Sequence, residues 1–162
     1  MRLRGEKGFG MFELLAALSV LNIGILAIVA AFNSGAIALR RASSISTAAA
    51  LGDKQMELYR AVAYNAIILD TTSVAATDST YQADSAYSAS QVTATCSPVV
   101  DSCNPSRSVA GADHVNYRVD SYIVYDTPSG GRQLKKVTIV VRDSSTVKTL
   151  ARVSSTFDQS TG

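Results

Sequence analysis

Lys7 to Phe32 reads KGFGMFELLAALSVLNIGILAIVAAF, and these residues decide the architecture of the 162-residue chain. From Leu14 to Phe32 there is no charge, no proline and a single glycine, Gly24. As a helix rising ~1.5 Å per residue this run reaches ~28 Å, about the hydrocarbon thickness of a bilayer. Glu13 stands at its mouth. A carboxylate at the edge of hydrocarbon costs ~2.5 kcal/mol or more on insertion scales, so one kept there calls for a partner. The alternative is an acid that snorkels to the headgroups of a single-span protein.

Ahead of the run, residues 1–8 read MRLRGEKG, with Arg2, Arg4 and Lys7 against Glu6. A basic stub before an apolar segment is common to secretory signals and membrane anchors. The apolar run is longer than the ~7–15 residues of an ordinary signal. After Asn33-Ser34-Gly35 it continues as AIALRRASSISTAAAL without a proline, which argues against removal of the whole segment. Arg40 and Arg41 flank the far end almost as strongly as the stub flanks the near end, so charge alone leaves orientation open. A cut between Gly8 and Phe9 would create an amino cation near the level of Glu13, in the same chain or an axially offset neighbour. An ion pair buried there sets register between helices more than it adds stability.

A basic leader, Gly8, Phe9, Glu13 and an uninterrupted apolar helix together resemble the prepilin leader of type IV pilins and type II secretion pseudopilins. The resemblance implies that prepilin peptidase cuts after Gly8 on the cytoplasmic side and methylates Phe9. It implies that Glu13 guides docking into a fibre. The partners implied are the peptidase, other pilin or pseudopilin subunits through the N-terminal helix, an inner-membrane assembly platform, and membrane lipid before assembly. The location implied is a single pass of the inner membrane with the C-terminal domain outside the cytoplasm, then an extracellular or periplasmic filament. Gly10-Met11-Phe12 departs from the family's usual Thr-Leu-Ile but leaves Gly8 and Glu13 in place. The mid-helix proline of major pilins is missing, and Leu21 to Leu26 (LNIGIL) is similar to the pattern of minor pilins and pseudopilins. Gly52 to Glu57 (GDKQME) resembles the helix end of minor pilins. A minor subunit is therefore expected. A major pilin, or a signal-anchored surface binding protein that never polymerises, are the alternatives.

Working outward, the helix is expected to continue past Arg41. Leu39, Ala42, Ile45, Ala49, Gly52, Met56 and Tyr59 recur at three- and four-residue spacing, opposite Arg40, Ser44, Thr47, Lys54, Glu57 and Arg60. Residues 9–39 form the membrane and assembly half, and 40–62 the amphipathic half. Residues 63–113 are rich in Ser, Thr, Ala and Asp and read as a surface connector. Within it, Ala66 to Leu69 suggests a helical turn and Gln91 to Thr95 a strand. Cys96 and Cys103, the only cysteines, have six residues between them in a chain that looks exported, which favours a disulfide loop over a metal site. Closing so short a loop stabilises by ~2–3 kcal/mol in the chain-entropy model.

Residues 114–162 alternate. Val115, Tyr117, Val119, Ser121, Ile123 and Tyr125 share one face, as do Val137, Ile139 and Val141, and Val147 to Phe157 alternates again. Turns are expected at Thr127 to Gly131 and Asp143 to Thr146. Three strands in an antiparallel meander, one face covered by the amphipathic helix, make an α+β fold. This is the pilin-like arrangement the resemblance also implies: a long N-terminal helix packed on a C-terminal antiparallel sheet. The strand acids read as a solvated face.

The net charge of +2, with no basic cluster beyond Arg40-Arg41 and Lys135-Lys136, argues against nucleic acid as a partner. There is no glycine-rich phosphate loop, metal-ligand cluster or nucleophile with a base, so no catalytic residue, metal or cofactor is expected. His114, the only histidine, beside Asp113, reads as a surface residue.

Overall fold

Helix α1 runs from Met11 to Arg60, fifty residues without a break, in the computed structural model, which describes residues 10–129 and 131–159. By contact density the chain divides between Ala42 and Ser43 into two units. In the first, every described residue is exposed, among them Leu15, Ile23, Leu26 and Phe32. The polar side chains on this stretch serve their own helix. Ser19 Oγ donates to Leu15 O at 2.9 Å and Asn22 Nδ2 to Leu18 O at 3.1 Å, so both side chains bond within the helix on this exposed apolar surface.

The second unit begins at Ser43 and holds the core. Its part of α1 buries Ala48, Gly52, Gln55, Met56 and Tyr59 against the sheet. Gly52, Met56 and Tyr59 belong to the expected apolar stripe, but the face is turned from the one hydrophobicity alone selects. Leu39 is 73% and Ile45 45% exposed, whereas Thr47, assigned to the polar face, is half-buried. Small residues choose the face. A Cβ on Gly52 would stand 3.2 Å from Val153 Cγ2, so glycine lets the helix lie close on the strands.

The sheet is antiparallel in the order β3-β4-β5-β6: Ser106–Ala110, Asn116–Asp126, Leu134–Asp143 and Thr149–Phe157. β4, β5 and β6 are the three expected strands. β3 is a fourth, inside the stretch read as connector. Its sequence, SRSVA, offers one large apolar residue, Val109, too little alternation to announce a short edge strand. The inner face presents Tyr117, Val119, Ile123, Val137, Ile139 and Val141, which cluster with Met56 and Tyr59.

Residues 63–113, read as a connector holding a helical turn, a strand and the disulfide loop, carry more regular structure than that. A 3₁₀ turn (Tyr64–Ala66) leads to β1 (Leu69–Asp70), α2 (Thr71–Ala75), α3 (Ser79–Gln82) and β2 (Thr93–Ala94), with β1 and β2 paired in parallel. Lys135 secures the turn, its Nζ donating to Tyr64 O at 2.8 Å and Ile67 O at 2.9 Å. Asp70 and Asp78 cap the short helices, accepting from Ser73 N at 2.8 Å and Tyr81 N at 3.0 Å. Ile67, Leu69, Tyr81 and Val92 are buried. Tyr81 is stacked on Tyr122 with ring centroids 4.3 Å apart and donates to Ser121 O at 2.6 Å, so the segment around it covers the outer face of the sheet. Asp120, Tyr122, Thr138, Val140 and Arg142 are consequently buried as well. The expectation of one buried face, with solvated acids on the other, fails here.

Gly111, in the turn between β3 and β4, is a close-packing position. A Cβ there would lie 2.5 Å from Asp113 Oδ1 and 2.6 Å from both Thr47 Cγ2 and Tyr117 Cε2. Gly111→Ala is expected to cost about 1–3 kcal/mol through overpacking, read as a lower urea midpoint at unchanged slope.

Candidate functional site

Of the residues expected to direct processing and assembly, Gly8 and Phe9 lie outside the described residues. Glu13 is in the first turn of α1, its N–H donating to Gly10 O at 2.9 Å, and it is exposed. Counting Gly10 as the residue before the helix, Glu13 is the third helical residue, where a carboxylate meets the unsatisfied N–H groups and positive end of the helix dipole. From Leu14 to Leu39 the helix carries no further charge, and Arg40 and Arg41, both exposed, close the uncharged run. One helix among the described residues is thus long and apolar enough to cross a membrane: a candidate single span near the N-terminus. What this surface can do is enter a nonpolar medium, lipid or the flank of another helix, and present one carboxylate at a fixed height.

Cys96 and Cys103 form the expected disulfide, with Cα atoms 6.6 Å apart. Asp70 holds both ends of the bridge. Its Oδ1 accepts from Cys96 N at 3.0 Å and its N–H donates to Cys103 O at 2.8 Å. The loop so closed is fastened to α1 and β3. Gln55 Nε2 donates to Asp101 O at 3.0 Å, Gln55 Oε1 accepts from Arg107 Nη2 at 2.6 Å, and Arg107 pairs with the Asp101 carboxylate. Gln55 therefore has partners for both amide atoms, which is why the helix face tolerates it in the core.

Under α3 lies a charge cluster that sequence reasoning missed. Arg142, 5% exposed at its side chain, pairs with the carboxylates of Asp84 (5%) and Asp120 (0%). Arg152 Nη2 donates to Asp84 Oδ2 at 2.8 Å, and Arg118 joins Asp120 Oδ1, at 2.8 Å from its Nε, to Asp78. Three arginines and three aspartates thus neutralise one another and fasten the 78–84 segment to the outer face of β4, β5 and β6. The available signal was that Asp120 and Arg142 sit diagonally on neighbouring antiparallel strands, with Arg118 directly opposite Arg142. Strand register was needed to see it. The cluster ties the segment to the sheet, with Asp84, Asp120 and Arg142 buried and Asp78 and Arg152 exposed at its rim.

His114 is exposed at φ 60° in the turn before β4, and Asp113 beside it is engaged elsewhere, accepting from Tyr117 OH and, at 3.2 Å, from Val115 N. Among the described residues no three His, Cys, Asp or Glu side chains stand together to hold a metal ion.

These arrangements set the acid stability of the second unit. The Arg118 guanidinium and the Tyr81 N–H hold the Asp78 carboxyl down to about 2, and the hydroxyl of Ser145 with the N–H of Thr146 brings Asp143 to about 2. Asp70 is lowered by the N–H groups of Cys96 and Ser73, and Asp113 by the Tyr117 hydroxyl. At Asp84 burial pushes the carboxyl up but is outweighed by the Ala86 N–H and the charges of Arg152 and Arg142. A carboxyl whose folded value lies below its unfolded ~3.9 contributes stability that is full above that value and is lost as pH falls through the folded one. The thermal midpoint is expected to hold from pH 7 to about 5 and drop steeply between about 4 and 2. Scanning calorimetry across that range checks it, and a main loss between pH 7 and 5 would contradict it.

Compared with models of known protein families, with curated proteins and with solved structures, the chain matches none.

Proposed function

We propose that the chain is a structural subunit, a minor pilin or pseudopilin, of a type IV pilus or type II secretion-like filament. Prepilin peptidase removes residues 1–8, Phe9 becomes the methylated N-terminus, and α1 carries the chain from the inner membrane into the fibre. The observation that supports this most is the pairing of Glu13 with the surface behind it. An isolated carboxylate opens an exposed, uncharged helix that runs on into a separately packed, disulfide-closed α+β unit. The helix and four-stranded sheet agree with the pilin-like arrangement, and a proline-free α1 that runs unbroken through Gly24 accords with a minor subunit. Before assembly the partner is lipid; afterwards it is the helices of other subunits, with the second unit outside the cytoplasm.

A second reading rests on the place of Glu13 in the first turn. An acid there is worth about 0.3–1 kcal/mol to the helix end alone. A membrane-anchored binding protein would need no more. The two readings separate on fractionation of cells that make the peptidase and filament platform. A filament subunit is recovered in sheared surface or periplasmic fibres; a chain found wholly in the membrane fraction contradicts the proposal.

A further inference from the structure

The two edges of the four-stranded sheet are finished differently. At one edge β3 has five residues, and the N–H of Ser106 is taken by Asn104 Oδ1 at 3.2 Å. At the other, β6 has nine residues, no proline and a single charge, Arg152. Short length, proline and several charges are the devices that blunt an exposed edge, and β6 lacks them.

The register identifies which backbone groups of β6 are open. Asp143 N–H donates to Lys148 O at 3.0 Å and Asp143 O accepts from Val147 N–H at 2.9 Å, so Asp143 turns both groups toward β6. Every second residue back along β5 (Val141, Ile139, Val137, Lys135) does the same. β4 gives the same phase. Ser121 N–H donates away from β5 to Pro105 O at 2.7 Å, and Ile123 O accepts from Val92 N–H at 2.8 Å, which leaves Asp120 and Tyr122 to face Val140 and Thr138 of β5. On β6, Ala151, Val153, Ser155 and Phe157 therefore bond to β5. Arg152, Ser154 and Thr156 turn their N–H and C=O groups outward, where the sheet ends.

The two flanks of this edge differ. Ile45, Ala49 and Gly52 form one stripe of α1, and Gly52 stands against Val153. Along that flank Ile45 is exposed, and Val153 and Phe157 are only half-buried. The opposite flank presents exposed Arg152, Ser154 and Thr156, with exposed Lys136 beside Thr156 on β5.

We propose that the β6 edge is a strand-addition site for an extended segment of a different protein. The segment lies antiparallel to β6, with apolar residues over Ile45, Val153 and Phe157 alternating with hydroxyl or carboxylate residues beside Ser154, Lys136 and Arg152. Main-chain hydrogen bonds supply the affinity and the alternation supplies the selectivity. A second copy fits poorly. Two chains paired β6 to β6 in antiparallel run their 43–60 helices in opposite directions, and one bilayer cannot then receive the apolar run of both. Paired in parallel about a two-fold axis, they set the apolar flank of one against the basic flank of the other. The β3 edge of a copy is short and already engaged at Ser106.

The probe is a synthetic peptide of the length of β6 that alternates valine with threonine or glutamate. Amide exchange is followed residue by residue by NMR on the full chain in detergent. Without peptide, Arg152, Ser154 and Thr156 are expected to exchange about tenfold or more faster than Ala151, Val153 and Ser155, and saturating peptide to slow the three by about tenfold or more. Slow exchange of the three in the peptide-free chain would overturn the site, since the edge would already be covered, by a second copy if sedimentation shows a dimer. Fast exchange that peptide leaves unchanged would overturn it too. Ser154→Pro removes an N–H that the sheet does not use. It is expected to keep the parental urea midpoint and to weaken peptide binding about tenfold or more by fluorescence anisotropy. Val153→Pro, which breaks a bond to Ile139, is expected to lower the midpoint. Parental peptide affinity in Ser154→Pro, or equal losses of midpoint in the two variants, would contradict the assigned edge. Neither filament nor peptidase enters these measurements, so their failure leaves the filament role where it stands.

Discussion

Glu13→Ala is expected to remove the chain from filaments while leaving its amount in the membrane fraction unchanged. Glu13 lies in the first turn of α1, exposed, ahead of a helix with no charge until Arg40. In a lone anchored chain the substitution sacrifices only a favourable interaction with the helix end, about 0.3–1 kcal/mol, and even makes insertion cheaper. In an assembly the carboxylate answers a cation on a neighbour. Removing it strands that cation in a dry interface, which costs about 3–5 kcal/mol, or a hundredfold or more in incorporation. Glu13→Gln separates shape from charge. It keeps the size and loses the anion, and it is expected to fail nearly as completely. Wild-type incorporation of the Gln variant, measured by immunoblot of sheared fibres, would show that the charge is not what assembly uses.

Arg142→Ala is expected to be the most damaging single change in the second unit. The guanidinium stands between two buried carboxylates, Asp84 and Asp120, and its loss leaves both short of a counter-charge. Breaking a buried pair from one side costs about 3–5 kcal/mol, a large fraction of the 5–15 kcal/mol that holds a typical domain. Arg152 touches Asp84 from an exposed position, its side chain 38% accessible, so Arg152→Ala should cost no more than about 1 kcal/mol. Urea unfolding of the detergent-solubilised protein measures both. Combining Arg142→Met with Asp84→Asn and Asp120→Asn should recover much of the loss, because the penalty lies in stranded charge and not in the absence of the pair. A cost for Arg142→Ala as small as that for Arg152→Ala would contradict the buried cluster.

What could be read in advance followed from periodicity. The long helix, β4, β5 and β6, the turn at Asp143 and the Cys96–Cys103 bridge each rest on a local rule, and each is present. What could not be read depends on partners distant in the chain. Gln55 lies on the core face because Asp101 and Arg107 satisfy it. Asp120 and Arg142 look like solvent-facing positions until Tyr81 and its neighbours close over them. β3 is short, and pairing with β4 makes it a strand where side-chain pattern does not. Lys135, read as half of a basic pair, is buried on two carbonyl oxygens. Glu13 was legible as an anomaly because a charge beside a long apolar run stands out.

The central claim is that this chain is handled as a prepilin, and the intact mass of the mature protein tests it most directly. Purified from a host with the peptidase, the protein is expected to lack residues 1–8 and to carry one added methyl group on Phe9. A mass that retains residues 1–8 in that host would contradict the account.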